Sequence, residues 1–211
     1  SDIAEHVPIL LRYGHVCDRI TEFGVRAGVS TSAWLGAEPD RLICYDRNVP
    51  ECLPELTEIA RANKIEFQFV QNDTALVHIE PTDLLFIDTT HDDPTVRAEL
   101  FNNHRAVSKY IILHDTELFG WNGEGPGTSG LSPAGILYPL MDFLLENPEW
   151  RVRQHLKNSC GLTVLERLRW RVEFRSGSGA DGAKAASGRL KAEADAQPMI
   201  SEAKAEMEGP G

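Results

Sequence analysis

The chain of 211 residues has little sulfur, little positive charge and no long apolar run. Its four cysteines, Cys17, Cys44, Cys52 and Cys160, form no C-x-x-C pair and no zinc-like spacing. A disulfide framework or a cysteine-built metal knot is therefore not expected. The cysteines read as reduced, mostly buried thiols that behave as small hydrophobes, with Cys44 inside an apolar strand-like run. No stretch approaches the roughly 20 apolar residues of a bilayer-crossing helix. The opening Ser1-Asp2-Ile3-Ala4-Glu5-His6 lacks the basic start and apolar core of a secretory leader. The expected compartment is the cytoplasm, with no membrane partner. Lys and Arg number 21 against 32 Asp and Glu, a formal net charge of -11. Such a surface repels nucleic-acid phosphates, which favours small molecules as partners. The dinucleotide fingerprint G-x-G-x-x-G is also missing, and this weighs against a nicotinamide-dependent oxidoreductase.

What remains is an ordinary globular composition, 42% hydrophobic and 25% charged, long enough to bury one core. Apolar residues at Ile3, Val7, Leu10 and Leu11 have helical spacing. Arg19 to Phe23 reads as a strand that runs into the glycine turn Gly24-Val25-Arg26-Ala27-Gly28. Ser30 or Thr31 is suited to cap the helix that follows. Strands are expected at 41–45 and 65–70, with a helix from Pro54 to Asn63 between them. Leu84 to Ile87, between Asp83 and Asp88, has the unbroken apolar character of a strand covered on both faces. A helix from Pro94 to Val107 and a strand from Tyr110 to Leu113 come next. Gly120 to Pro133 is a long Gly/Ser/Pro loop, and Trp121 within it is placed to close over a ligand. A helix from Ala134 to Glu146 precedes two strands, 150–155 and 162–166, whose short connection requires antiparallel pairing. The alternation implies a mostly parallel sheet with helices on both faces. From Arg169 the chain turns to Ser, Gly, Ala, Lys and Glu, so residues 1–168 are expected to be the domain and 169–211 a flexible tail.

In open parallel sheets ligands sit beyond the carboxyl ends of the strands. The polar residues there are Glu22, Asp46, Asp88 and the pair His114-Asp115. Glycines in the first turn let a ligand approach the backbone, and the next helix offers free N–H groups. Asp46 is suited to accept hydrogen bonds from both hydroxyls of a ribose. Together these features point to a nucleoside-type cofactor. His91, close after Asp88, is suited to act as a general base toward a hydroxyl.

The segment Ile20-Thr21-Glu22-Phe23-Gly24-Val25-Arg26-Ala27-Gly28-Val29-Ser30-Thr31 resembles the first motif of class I S-adenosylmethionine-dependent methyltransferases, E-x-G-x-x-x-G. It is most similar to the branch of cephalosporin-hydroxylase-like proteins and macrolide sugar O-methyltransferases. The similarity continues through Tyr45-Asp46, Asp83 to His91, Tyr110 to Gly120 and Gly161 to Glu166. The resemblance implies a Rossmann-like sheet of seven strands, order 3-2-1-4-5-7-6, with one strand antiparallel. It implies S-adenosylmethionine as cofactor, with Glu22, Gly24 and Gly28 at its methionine end, Asp46 on the ribose, Asn72, Asp73 and Thr74 beside the adenine, and Thr31 and Asp88 also among the cofactor-binding residues. In that order the fourth and fifth strands are neighbours, so Asp88 and Asp115 converge beside the cofactor. Converging carboxylates need a cation or a proton between them. Asp88, His114 and Asp115 are thus candidate ligands for a divalent cation, Mg2+ or Mn2+. His114 stands where metal-dependent members of the branch commonly have an acid, and imidazole suits Mn2+ better than Mg2+. The implied reaction is methylation of a small hydroxylated acceptor such as a sugar, with His91 as the base. A dehydrogenase, or a non-catalytic binding protein that keeps the fold, remains an alternative, and homo-oligomerisation is open.

Overall fold

The buried strands owe their form to runs of β-branched and aromatic residues with period-2 alternation between two covered faces. In the computed structural model, which describes residues 2–125, 133–168, 170–171 and 191–192, seven strands form one sheet of order β3-β2-β1-β4-β5-β7-β6. They are β1 (Arg19–Phe23), β2 (Arg41–Asp46), β3 (Glu66–Gln71), β4 (Thr82–Ile87), β5 (Val107–His114), β6 (Trp150–Leu156) and β7 (Leu162–Arg167). β1 to β5 pair parallel, and β7 runs antiparallel to both β5 and β6. This is the expected fold class and strand order.

Alternation divides each central strand between two cores. Leu84 and Phe86 of β4 join one cluster, and Leu85 and Ile87 join the other. On the first face lie α1 (Val7–Gly14), α2 (Val29–Gly36) and α3 (Leu53–Ala62), through Leu10, Trp34, Leu56 and Ala60. On the second lie α4 (Asp93–Asn103) and α5 (Leu137–Glu146), through Val96, Leu100, Leu140 and Phe143. Truncating a fully buried aromatic such as Phe86 to Ala is expected to cost about 3–5 kcal/mol.

Several boundaries differ from the sequence reading. The first helix begins as a 3-10 turn over Asp2–His6 and becomes α-helical only at Val7, with Pro8 in its first turn. The fourth helix stops at Asn103, because Val107 is needed as the first, fully buried residue of β5. Ala134 forms an antiparallel bridge with Asn122, so the fifth helix starts at Leu137. The cap expected from Ser30 or Thr31 is not made. Gly28 takes that position with φ 73°, which a residue without Cβ adopts without strain. Trp170–Arg171 pairs antiparallel with Lys191–Ala192 in a second unit, 168–211. The expected flexible tail lies almost wholly outside the described residues, as do residues 126–132 of the long loop.

Candidate active site

The carboxyl ends of β1, β2 and β4 bound two adjoining cavities, of about 270 and 210 Å³, which share Gly24, Arg26 and Asp88. The larger also meets Asp46, Arg47, Thr74 and Thr89, and the smaller meets Val25, Val29 and Ser30. Gly24 has φ 88°, and a Cβ there would collide with the carbonyl oxygen of Asp88. Its glycine character therefore lets the ends of β1 and β4 close together beneath the cavity. Gly28 faces Cys52 and Leu56 of α3. Its role is to turn the chain into α2 and seat that helix on α3.

The first-motif acid, Glu22, is completely buried. Its Oε2 accepts from Thr31 Oγ1 at 2.6 Å and Cys44 Sγ at 3.0 Å. Burial pushes its carboxyl up to about 7, although the hydroxyls of Ser30 and Thr31 pull it down. The hydroxyls that looked like helix caps are thus spent on a buried carboxyl group. Asp46 Oδ2 accepts from the backbone N–H of Val25 at 2.9 Å and Arg26 at 3.2 Å, and its Oδ1 accepts from Asn48 N at 2.9 Å. It anchors the glycine turn, lines the larger cavity and keeps acceptor capacity beyond these three bonds. Asp73 caps the short turn Thr74–Leu76 and pairs with Arg47 at 3.0 Å, and Asn72 Oδ1 accepts from Asp73 N. Of the triplet, Thr74 lines the cavity.

Beside this cavity β4 and β5 deliver a cluster of histidines and carboxylates. His91 Nε2 lies 3.3 Å from Asp88 Oδ1 and 3.0 Å from Asp115 Oδ2, and Nδ1 lies 3.0 Å from Glu124 Oε2. The ring stacks on Phe119, with centroids 4.9 Å apart and planes 10° apart. Burial works to lower the His91 pKa, but the bond to Asp88, the charges of Asp115 and Asp88 and the bond to Glu124 raise it overall. His114 Nδ1 stands 3.4 Å from Asp88 Oδ1 and 3.3 Å from Asp115 Oδ1, while its Nε2 lies 3.1 Å from the carbonyl of Ser159. Against the same burial penalty, the two carboxylates raise His114 to about 10. Both imidazoles hold Asp88 well below the usual carboxylate range, although burial opposes them. Asp115 has φ 60°, a strained value for a residue with a side chain, of the kind that collects at functional sites.

Asp88, His114 and Asp115 each offer one ligand atom within 4.8 Å of the others. His114 Nδ1 and Asp115 Oδ1 are buried 3.3 Å apart, close enough for an ion pair but without a well-aligned hydrogen bond among the described residues. That donor set fits a divalent cation. The His91 ring offers the same carboxylates an alternative positive charge, as imidazolium.

His6 carries no site assignment in the sequence analysis. It is completely buried and packs edge-on against His114, with centroids 5.4 Å apart, while its Nε2 meets the carbonyl of Asn158. Burial, then the His114 charge, lowers its pKa, so a neutral ring backs the charged one. Its place on the apolar stripe Ile3, His6, Leu10, Tyr13 was the available signal. Glu124 and Glu99 were also missed. Glu99 shares the buried face of α4 with Val96 and Leu100, a detectable oddity, whereas a glutamate in a glycine loop carries no signal.

No family model matches the chain, and no curated protein matches it by sequence. Solved structures do match. The magnesium protoporphyrin IX methyltransferase ChlM of Synechocystis PCC 6803, solved with S-adenosylhomocysteine, is 11% identical with a TM-score of 0.58, over 79% of this chain and 83% of that one. The O-methyltransferase NcsB1 of neocarzinostatin biosynthesis, solved with S-adenosylmethionine and 2-hydroxy-5-methyl naphthoic acid, is 16% identical with a TM-score of 0.55 over 78% of this chain. The pyocyanin biosynthetic protein PhzM is 16% identical with a TM-score of 0.54 over 77%. This chain has the class I methyltransferase fold. It spans about half the length of the last two, 55% of NcsB1 and 53% of PhzM. In such folds the space above the carboxyl ends of β1, β2 and β4 is the ligand crevice, where the order reverses around β1.

Proposed function

We propose that the chain transfers the methyl group of S-adenosylmethionine to an oxygen of a small hydroxylated acceptor such as a sugar. The observation that carries the reading is the double position of Asp88. It lines both cavities and also belongs to the histidine–carboxylate cluster, so a ligand in the cavities brings its reactive end to His91. The neighbours NcsB1 and ChlM, solved with S-adenosylmethionine and its demethylated product, support the cofactor. The residues present suit it. Asp46 offers a lone pair for a ribose hydroxyl, and Asp88, which lines both cavities, places a carboxylate that favours a cationic sulfonium.

The cofactor supplies an electrophilic methyl group whose leaving group is already attached. This chain's residues must align the acceptor oxygen and remove its proton. Asp88 and Asp115 hold His91 at Nε2, which leaves Nδ1 as the basic atom. Glu124 occupies Nδ1 from a half-exposed position and must yield to the acceptor hydroxyl. Phe119 fixes the ring plane during this exchange. Asp88, His114 and Asp115 would hold Mg2+ or Mn2+, whose charge lowers the pKa of a nearby hydroxyl.

The test is equilibrium binding of S-adenosylhomocysteine against NAD, followed by turnover of labelled methyl donor with a panel of sugars and phenols. Binding of the first ligand and labelling of a hydroxyl compound are expected. Binding of NAD alone would sink the reading in favour of a dehydrogenase. Cofactor binding with no acceptor labelled would favour a binding protein that keeps the fold.

A further inference from the structure

Glu99 is a fully buried acid on α4, packed on the side that faces the turn after β3. A carboxyl group is costly there unless its oxygens are used. One oxygen, Oε1, accepts two hydroxyl hydrogens, from Thr74 at 2.5 Å and from Thr89 at 2.8 Å. Thr74 follows β3, Thr89 follows β4, and both line the larger cavity. A threonine hydroxyl has one hydrogen and two acceptor lone pairs. With both hydrogens turned to Glu99, these two hydroxyls have only lone pairs left for a ligand, in a cavity that Arg47, Asn48 and Thr90 also line. Oε2 of Glu99 is buried without a hydrogen-bond partner among the described residues. Burial pushes this carboxyl up to about 7, against the pull of Thr74, Thr89 and the charges of His91 and Arg47. The proton of the neutral form has room on Oε2, so Oε1 accepts from both threonines in either charge state.

We infer that Glu99 is a positioning residue that leaves Thr74 and Thr89 as acceptors only, so that a purine meeting these two hydroxyls is selected for an amino group over its oxo counterpart. The inference rests on the nucleoside cofactor proposed above. With the ribose at Asp46, the inference seats the base in the same cavity, against Thr74 and Thr89. A 6-amino group donates to their lone pairs, whereas a 6-oxo group sets lone pair against lone pair.

The experiment is calorimetric binding of S-adenosylhomocysteine and S-inosylhomocysteine to the full chain and three variants, with each variant's thermal unfolding recorded. The native chain should prefer the adenosyl ligand by at least about tenfold. Glu99→Gln should keep that preference within about twofold, because the amide oxygen replaces Oε1. Glu99→Leu frees both hydroxyl hydrogens, and the preference should collapse toward unity. Thr89→Val removes one acceptor and should weaken the adenosyl ligand by about 3- to 10-fold while sparing the inosyl one. Equal binding of the two ligands by the native chain overturns the inference and leaves the nucleoside reading standing. Binding of neither overturns both. A folded Glu99→Leu with native preference removes Glu99 from the role. If that variant does not fold, unchanged preference in Thr89→Val, or a collapsed one in Glu99→Gln, is decisive against it.

Discussion

Glu22→Gln is expected to make the protein more stable at alkaline pH and to remove part of its pH dependence. The side chain is completely buried, and burial lifts its carboxyl from an ordinary 4.5 to about 7. The unfolded chain releases this proton near the ordinary value, and the folded chain keeps it until about 7. Between those values the folded state binds more protons, so stability falls as pH rises through the window and levels off above it. A rise from 4.5 to about 7 corresponds to a loss on the order of 3 kcal/mol once the group is ionised. Glutamine matches the neutral carboxyl in shape, and its oxygen can still accept from Thr31 and Cys44. Denaturant unfolding of both proteins at pH 4.5 and pH 8.5 provides the measurement. The two should differ little at the lower pH, and the variant should gain up to about 3 kcal/mol at the higher. A stability difference that is the same at both values would show that Glu22 ionises normally, and the argument from burial would be wrong.

Gly24→Ala should cost more than about 2 kcal/mol, since the new Cβ meets the Asp88 carbonyl at φ 88°; a melting temperature near the native one would contradict this packing. Asp46→Ala should weaken S-adenosylhomocysteine by about 1–3 kcal/mol and also destabilise the first turn, which loses its acceptor for Val25 and Arg26. Calorimetry with unchanged affinity would remove the ribose assignment. His91→Ala should lower turnover by about 10²–10⁴-fold with cofactor affinity nearly intact. Because its carboxylate neighbours raise His91 above the ordinary 6.5, native turnover should climb with pH through a limb above that value, and a limb below it would argue against this base. A chelator should slow the native chain and leave Asp115→Ala unaffected; no effect on either would dismiss the cation.

The fold was legible because buried parallel strands leave an unmistakable trace. Leu84-Leu85-Phe86-Ile87 and Tyr110-Ile111-Ile112-Leu113 can only lie between two covered faces, and each ends in an acid or histidine at the ligand side. That rule also located Glu22, Asp46, Asp88, His114 and Asp115. What it could not supply is which polar group each of them bonds. Thr31 pairs with Glu22 across nine positions, Thr74 with Glu99 across 25, and His91 with Glu124 across 33. Ser30 and Thr31 show why local pattern fails there. A hydroxyl ahead of a helix usually satisfies a free backbone N–H, worth about 1 kcal/mol. Beneath these hydroxyls lies a fully buried carboxyl, whose unmet need costs more than a lost cap. The hydroxyls therefore turn to Glu22, and the start of α2 passes to Gly28, which has no side chain to lose. The same competition governs Thr74 and Thr89, whose hydrogens go to Glu99 rather than to the cavity. In this protein the buried carboxyls decide which hydroxyls remain for a ligand, and that decision is invisible until distant segments are packed together.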